Sequence, residues 1–493
     1  MKRVASGLLP LIAIDRKSQK PLHKQIYDAY RLAVVNGHLR PGQRVPSTRV
    51  LSSELGVSRF PVLDAYSQLL AEGYFESRVG AGTVVCSTLP ERFTISTPNN
   101  TRSTPSKSEL RTLARRASTI TRAENVPWAR GFGAFGLGKV ASDQFPHRIW
   151  AKLVARHCRK MDAESSHYGD PMGLLALRET IANYLRTARS VRCEAEQIMI
   201  LSGSQQALVL TAQVLLDPGS SVWVEEPGYR LARDAFALNQ CNVVSIPVDN
   251  EGLNVAAGIL KCRKARAAIV TPSHQFPLGV TMSAKRRLQL LDWAQNTGAW
   301  IIEDDYDSEY RYESSPIASL QGLDVNARVI YVGTFSKVLF PSLRLGYVVI
   351  PSDLVDSFLT IRRALDLGPP NLNQEVLTDF IGEGHFERHI RRMRILYGER
   401  RTILVESIDR EFGPMVEVLG SDAGMHLTMK LPNEIPDRQI AERAALQNLW
   451  IWPLSAAFFG RTAFPGFVLG FGSTAAADIP DSVRKLRKLF TKR

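Results

Sequence analysis

Short runs rich in Val and Ile recur from about residue 127 onward, separated by stretches with helical periodicity. The runs are QIMIL at 197–201, SVWVEE at 221–226, NVVSIPV at 242–248, AAIVTP at 267–272, AWIIEDD at 299–305, RVIYVGTF at 328–335 and LGYVVIP at 345–351. Segments such as QQALVLTAQVLL at 205–216 and SAKRRLQLLDWAQNTG at 283–298 predict helices between them. Strands that alternate with helices form parallel sheets covered on both faces. We therefore expect an α/β domain with a mainly parallel sheet over residues 127–493.

Positive charge is concentrated in the first quarter of the chain. Residues 1–126 contain 19 Lys and Arg and nine Asp and Glu, a net charge of +10, whereas the whole chain of 493 residues carries +14. This asymmetry favours a polyanion as the partner of the N-terminal segment. A basic surface that serves only solubility is the alternative.

The composition is that of a globular protein, with 44% hydrophobic and 22% charged residues. No stretch approaches the roughly 20 apolar residues of a membrane helix. The five cysteines are scattered and form no CxxC pair, so we expect neither a disulfide framework nor a metal site. A cytoplasmic protein without a membrane partner fits this sequence best.

The N-terminal 85 residues have the helix start and stop signals of a helix-turn-helix, followed by a predicted β-hairpin wing. Residues 22–36 predict one helix, and residues 46–73 predict two more, the first capped by Ser47 and ended near Gly56, the second capped by Ser58. The string YFESRVGAGTVV at 74–85 predicts the hairpin. Residues 86–126 are rich in Ser, Thr, Pro and Arg, which predicts a flexible basic linker.

Residues 1–85 resemble the GntR-type winged helix in their Pro-Ser-x-Arg start, Leu-Gly-Val-Ser-Arg turn and Glu-Gly before a Gly-x-Gly wing. The resemblance implies binding to double-stranded DNA, with Ser58 and Arg59 at the start of the second helix and Arg49 and Arg78 near the DNA backbone. Taken singly, these arginines are ordinary solvated charges. Phe60 and Pro61 depart from the small polar residues usual at this place, so we expect unusual base preferences.

Four strings in the second domain put reactive or polar residues at strand ends, where ligands of open α/β sheets bind. They are LSGSQQ at 201–206, EEPGY at 225–229, IIEDDYD at 301–307 and GTFSK at 333–337, the last followed by Arg344. Surface charges, a solvated loop and an N-capping serine are the ordinary alternatives for these residues.

Together the strings supply what pyridoxal 5′-phosphate (PLP) requires of a protein. Lys337 is the candidate for a Schiff base with PLP, and Asp304 for the partner of the pyridine nitrogen. We assign phosphate contacts to the start of the helix after LSG, a stacking ring to EEPGY, and a contact with the ring hydroxyl to IIEDDYD. The residues in these roles are Ser204, Gln205 and Arg344 for the phosphate, Tyr229 for stacking and Tyr306 for the hydroxyl.

The strings, with YGDPMG at 168–173, resemble fold-type I aminotransferases in matching order over about residues 127–490. The resemblance implies that Thr334 also binds phosphate and that Tyr168 reaches the cofactor of a partner subunit.

Two residues depart from the pattern of this family. Phe276 replaces the usual Asn of an Asn-Pro-x-Gly turn, and Val468 replaces the arginine that binds a substrate carboxylate, with Arg461 as a substitute.

The order of winged helix (1–85), linker (86–126) and aminotransferase-like domain (127–493) resembles the MocR/GabR group of transcriptional regulators. It implies a homodimer whose PLP domain senses an amino compound, or PLP itself, with residual or half-reaction aminotransferase chemistry left open. One alternative is a working aminotransferase with an accessory DNA-binding domain. Another is a repressor whose second domain only dimerises.

Overall fold

The computed structural model describes residues 14–16, 18–78, 82–87, 114, 128, 131, 133–161, 167–312, 318–460 and 463–491. The chain divides into two compact units between Arg111 and Thr112. Nearly all of the expected linker lies outside the described residues. No helix in the described ranges is long and apolar enough to cross a membrane.

The first unit contains three helices and a two-stranded hairpin: α1 (Leu22–Val35), α2 (Thr48–Glu54), α3 (Arg59–Ala71), β1 (Phe75–Arg78) and β2 (Gly82–Val85). The Ser47 hydroxyl caps α2 by accepting a hydrogen bond from Val50 N at 3.4 Å. Ser58 occupies the N-cap position of α3, but its side chain accepts no capping hydrogen bond. The strands pair antiparallel, with Phe75 opposite Val85, so the predicted helix-turn-helix and wing both form.

The core of this unit is built around three aromatic rings. Tyr30 from α1, Tyr66 from α3 and Phe75 from β1 meet edge to face, with centroids 5.3 to 5.6 Å apart. Tyr66 also donates its hydroxyl to Pro46 O at 3.0 Å, which joins α3 to the segment before α2. The rings therefore fix α3 against α1 and the hairpin.

The second unit alternates strands and helices along most of its length. Its helices are α4 (His147–Cys158), α5 (Leu175–Arg189), α6 (Ser204–Leu215), α7 (Arg230–Leu238), α8 (Val255–Lys261), α9 (Ala284–Thr297), α10 (Leu320–Leu323), α11 (Val355–Leu365), α12 (Asn371–Gly382), α13 (His385–Phe412), α14 (Asp437–Ala445) and α15 (Ile479–Thr491). Its strands are β3 (Ile198–Leu201), β4 (Ser221–Glu226), β5 (Asn242–Asp249), β6 (Gly252–Leu253), β7 (Ala267–Val270), β8 (Trp300–Asp305), β9 (Val329–Thr334), β10 (Gly346–Val349), β11 (Glu417–Leu419), β12 (His426–Lys430), β13 (Trp452–Pro453) and β14 (Gly466–Gly470).

An eight-stranded sheet in the order β3-β10-β9-β8-β7-β4-β5-β6 forms the centre of this unit. Strands β9, β8, β7, β4 and β5 are parallel, whereas β10 is antiparallel to both of its neighbours, β9 and β3. Helices cover the sheet; for example, Trp293 of α9 stacks on Trp223 of β4 with 4.0 Å between centroids. The expected α/β fold with a mainly parallel sheet is confirmed.

A second sheet, which the sequence did not predict, follows α13. Its strands pair antiparallel in the order β11-β12-β14-β13. One face of this sheet packs on α13 and α15 through buried residues that include Leu427, Leu469, Leu404 and Leu486. The other face contributes Val468, which packs with Leu278 from the loop after β7.

The aromatic core of the first unit yields a stability prediction. Phe75→Leu should lower the free energy of unfolding of this unit by about 1–2 kcal/mol, because it replaces a ring that is 2% exposed with a smaller side chain. Urea unfolding of the full chain, followed by far-UV circular dichroism, measures the change. All seven tryptophans lie at residue 128 or beyond, so their fluorescence reports the second unit separately.

Phe60→Leu is the matched control. The Phe60 side chain is 78% exposed, so the same substitution there should change stability by less than about 0.5 kcal/mol. Equal effects of the two substitutions would show that the three-ring contact does not hold this unit together.

Candidate functional site

Three strand ends meet at one place in the central sheet because β10 lies between β3 and β9. Gly346, the first residue of β10, is paired with both Thr334, the last residue of β9, and Leu201, the last residue of β3. The segments that continue from these ends are the start of α6, the turn holding Lys337, and the Pro341–Leu343 turn that precedes Arg344. Sequence positions about 130 residues apart therefore converge.

The N-terminus of α6 faces the Arg344 guanidinium. The N-cap is Gly203 with φ of 118°, a conformation that favours glycine, and a Cβ there would lie 3.3 Å from Arg344 Nη2. Arg344 is exposed and makes no hydrogen bond or ion pair with the described residues. Free helical N–H groups beside an unpaired guanidinium form an anion site. Ser204 is the first residue of α6 and lies at this site.

Gln205, the second residue of α6, has a hydrogen-bond partner for one of its two side-chain polar atoms. Its Nε2 donates to Leu231 O at 2.8 Å, and its Oε1 is buried without a hydrogen-bond partner among the described residues. Thr334, 8% exposed, accepts a hydrogen bond from Ser336 N at 3.2 Å. Gln205 therefore lies in the first turn of α6, and Thr334 ends the strand that pairs with Gly346.

Lys337 lies in the turn after β9 and is half-buried. Its Nζ donates to Gly138 O at 3.4 Å, and a Cβ on Gly138, which has φ of 69°, would come within 2.5 Å of Nζ. Removal from water lowers the pKa of Lys337, an effect that the carboxylates of Asp307 and Asp304 oppose. A lowered pKa increases the fraction of neutral amine, which is the nucleophilic form.

Asp304 is at the end of β8, paired with Val332 of β9, and is 5% exposed. Burial raises its pKa to about 7, assisted by repulsion from Asp305 and Glu225. Its Oδ1 is buried and has no hydrogen-bond partner among the described residues. A buried carboxylate oxygen without a donor is rare in native proteins, and the N–H of a bound group would satisfy it.

The neighbouring carboxyl groups differ from Asp304 in having protein donors. Asp305 accepts hydrogen bonds from Arg189 Nε at 2.9 Å and Tyr331 Oη at 2.5 Å. Glu225 accepts them from Thr271, through N at 3.2 Å and Oγ1 at 2.7 Å. Asp305 therefore has donors at one oxygen, although its Oδ1 is also buried without a partner, whereas Asp304 accepts no hydrogen bond from the described residues at either oxygen.

A cluster of Tyr306, His274, Asp307 and His426 lies beside these acids. Tyr306 donates to His274 O at 2.8 Å, and His274 Nδ1 is 3.2 Å from both oxygens of Asp307. Burial, reinforced by His274, lowers the pKa of His426 to about 3, so this imidazole is neutral. The sequence reasoning missed Asp307 and His426; the IIEDDYD string could have revealed the first, whereas nothing local marks the second.

Two aromatic residues contribute to the same end of the sheet. Tyr229, at the N-cap of α7, is 39% exposed and meets Phe276 edge to face with 5.7 Å between centroids. The Tyr229 ring is therefore accessible to a ligand, as stacking requires. Phe276, at the place of the usual Asn, also packs at 5.6 Å from His426 and offers no polar atom from its side chain.

Three further residues singled out in the sequence have different outcomes. Tyr168 is 88% exposed on the single chain, Val468 is fully buried in β14, and Arg461 lies outside the described residues.

The first unit presents its own set of predicted contacts. Ser58, Arg59 and Arg49 are exposed around the junction of α2 and α3, and Arg59 Nε donates to Thr48 Oγ1 at 3.1 Å. This bond orients the Arg59 guanidinium at the start of α3. The Arg78 side chain lies outside the described residues.

The two units match two known families. Residues 22–85 match the family described as bacterial regulatory proteins, gntR family, and residues 137–456 match aminotransferase class I and II. The chain is 37% identical to the probable rhizopine catabolism regulatory protein MocR of Rhizobium meliloti, over 97% of this chain and 96% of that protein. It is 30% identical to the pyridoxine biosynthesis transcriptional regulator PdxR of Corynebacterium glutamicum, over 94% of each. Among solved structures, the kynurenine aminotransferase of Pyrococcus horikoshii aligns with a TM-score of 0.69 and 28% identity, over 79% of this chain and 98% of that one.

The unpartnered acid yields a prediction about pH. An acid whose pKa is raised by folding destabilises the protein progressively as the pH rises from its unfolded pKa of about 4, and the loss is complete above the folded pKa, because ionisation is easier in the unfolded state. Asp304→Asn should therefore stabilise the cofactor-free protein, by about 2 kcal/mol more at pH 8 than at pH 5. Urea unfolding followed by tryptophan fluorescence measures the difference.

Asp305→Asn is the contrasting variant, since it leaves the buried Arg189 without its carboxylate. We expect a loss of about 3–5 kcal/mol. If Asp304→Asn were destabilising at both pH values, Asp304 would be a structural acid like Asp305.

Proposed function

This chain belongs to the MocR-type transcriptional regulators, which join a GntR-family DNA-binding domain to a class I and II aminotransferase domain, and we propose that it senses its effector through PLP bound at Lys337. Regulators of this family match it over nearly their whole length, so the regulatory role includes both units. We assign residues 1–85 to DNA binding, 86–126 to a linker and 127–493 to effector sensing.

The unpartnered Asp304 Oδ1 is the observation that carries the cofactor proposal. It lies at the same sheet end as the Lys337 amine, the exposed Tyr229 ring and the anion site of α6 and Arg344. PLP has an N–H for the acid, an aldehyde for the amine, a ring for stacking and a phosphate for the anion site. The residues present therefore fit PLP.

Each of these residues has a separate task. PLP supplies reversible condensation with primary amines and withdraws electrons from what it has condensed with. Asp304 holds a proton on the ring nitrogen, and Lys337 provides the amine for covalent attachment. The α6 N-terminus, with Ser204, Gln205, Thr334 and Arg344, would hold the phosphate, and Tyr306 would contact the ring hydroxyl. In a homodimer, Tyr168 contributes to the site of the other subunit.

Regulation requires that the effector bind one arrangement of the protein more tightly than the other. The chemistry of the site indicates a primary amine, or PLP itself, as the effector. An amine would compete with Lys337 for the same aldehyde, so its binding would alter the attachment of the cofactor. Altered attachment is the signal that we propose changes the affinity of residues 1–85 for double-stranded DNA.

Two measurements separate the alternatives: turnover of an amino donor with a keto acid, and visible absorbance from bound PLP. A working aminotransferase would sustain exchange between an amino donor and a keto acid. The apolar Val468 at the place of a carboxylate-binding arginine disfavours this activity, because orientation of the substrate would be lost. A domain that only dimerises would bind no PLP and would leave Asp304 Oδ1 unsatisfied.

Lys337→Ala tests the cofactor proposal. The purified wild-type protein should absorb in the visible range, and borohydride reduction should leave a pyridoxyl group on the peptide that contains Lys337, as found by mass spectrometry. The variant should lose both signals. Lys285→Ala removes an exposed lysine of α9 and should retain them. An unchanged spectrum in Lys337→Ala would reject covalent attachment at this residue.

Arg59→Ala tests DNA binding. The loss of one phosphate contact should weaken binding of the full-length protein about fivefold at low salt and reduce the slope of log affinity against log salt by about one. Filter binding or anisotropy over a salt series measures both. Arg410→Ala removes an exposed arginine of α13 and should change neither. An affinity that does not depend on salt would contradict a phosphate-contacting interface.

A further inference from the structure

The outward face of α3 begins with a large apolar side chain. Phe60 is the second residue of this helix and is 78% exposed. The buried residues Val62, Ala65, Tyr66 and Leu69 lie on the opposite face and attach α3 to its core. Nothing in the described part of the first unit covers the Phe60 ring, and a phenyl ring in water is unfavourable by about 2 kcal/mol relative to a buried one.

Apolar surface continues beside Phe60. Leu63, one helical turn further along α3, is 43% exposed, and Val50 on α2 is 49% exposed. The exposed Arg49 and Arg59 lie near these apolar residues along the chain. A surface that combines apolar tips with guanidinium groups fits a polyanion that also presents apolar groups.

DNA has one such group in the major groove. Thymine carries a C5-methyl there, whereas the other base edges present hydrogen-bond donors and acceptors that a phenyl ring would leave unsatisfied. A phosphate contact from Arg59 next to Phe60 would place the ring over the groove floor, because backbone contacts fix the register of a recognition helix. The Ser58 hydroxyl at the helix start makes no capping hydrogen bond, so it can also contact a phosphate.

We propose that Phe60 determines operator specificity by packing on the C5-methyl group of thymine in the major groove. This inference rests on the proposed DNA-binding function, and it adds the base that the regulator selects. Phe60 acts as an apolar reader, and the arginines supply affinity that is independent of sequence.

Uracil-containing DNA provides the test, since deoxyuridine differs from thymidine only by the C5-methyl group. A genomic fragment selected with the full-length protein is synthesised once with thymidine and once with deoxyuridine throughout. Burying one methyl is worth about fourfold in affinity, so a dimer on two half-sites should bind the uracil form about fifteenfold more weakly. Phe60→Ala should bind thymine DNA more weakly and should discriminate less than twofold.

Leu70→Ala is the matched control, because Leu70 is an exposed apolar residue at the other end of α3. It should discriminate as the wild type does. Comparison of Phe60→Ala with wild type on both DNAs removes any general effect of uracil on DNA shape, and far-UV circular dichroism confirms that the variants are folded.

Three outcomes would overturn the inference. Equal affinity of the wild type for both DNAs would show that no thymine methyl is read. Discrimination that persists in Phe60→Ala would assign the reading to another residue. Binding of the wild type to no genomic fragment would overturn the DNA-binding function itself, and with it this inference.

Discussion

The antiparallel insertion of β10 between β9 and β3 is the constraint on which the second unit depends. Because Gly346 pairs with Leu201 on one side and Thr334 on the other, the α6 N-terminus, the Lys337 turn and Arg344 meet at one end of the sheet. Close approach is essential here, since a Cβ on Gly346 would lie 2.9 Å from Gly203 Cα. Strand pairing thus brings the α6 N-terminus and the Arg344 backbone together.

The acids at this sheet end show how a fold separates structural from functional charge. Asp305 and Glu225 each accept hydrogen bonds from neighbouring elements. Asp304 is equally buried, yet it accepts no hydrogen bond from the described residues, and its Oδ1 is enclosed without a donor. Burial without a partner is costly, and such a cost persists only where a ligand or a function compensates it. The distinction depends on contacts, because all three residues follow or end an apolar strand in sequence.

The sequence predicted most strands of the central sheet closely, because β3, β7, β8, β9 and β10 are buried almost throughout and therefore read as apolar runs. Once the strands were predicted, the positions of Lys337 and Asp304 at strand ends followed from their places in the sequence. The second sheet escaped prediction because its strands are short and mixed, as in HLTMK of β12. His426 escaped for the same reason, since only the folding of β12 against the loop after β7 brings it to His274. Ser58 has the predicted capping position without the predicted hydrogen bond, which local sequence does not determine.

The apolar environment of Val468 bears on why an aminotransferase fold suits a sensor. Val468 packs with Leu278 and Leu454, and its strand neighbours are Thr428 and Trp452, so this part of β14 offers no cation to a carboxylate. Turnover depends on holding a substrate in a reactive orientation, and that is lost without such a clamp. A sensor needs only a difference in affinity between two states of the protein, which does not require a substrate to be held in a reactive orientation. Under the proposed function, valine at this position would impair turnover and leave the requirement for regulation intact.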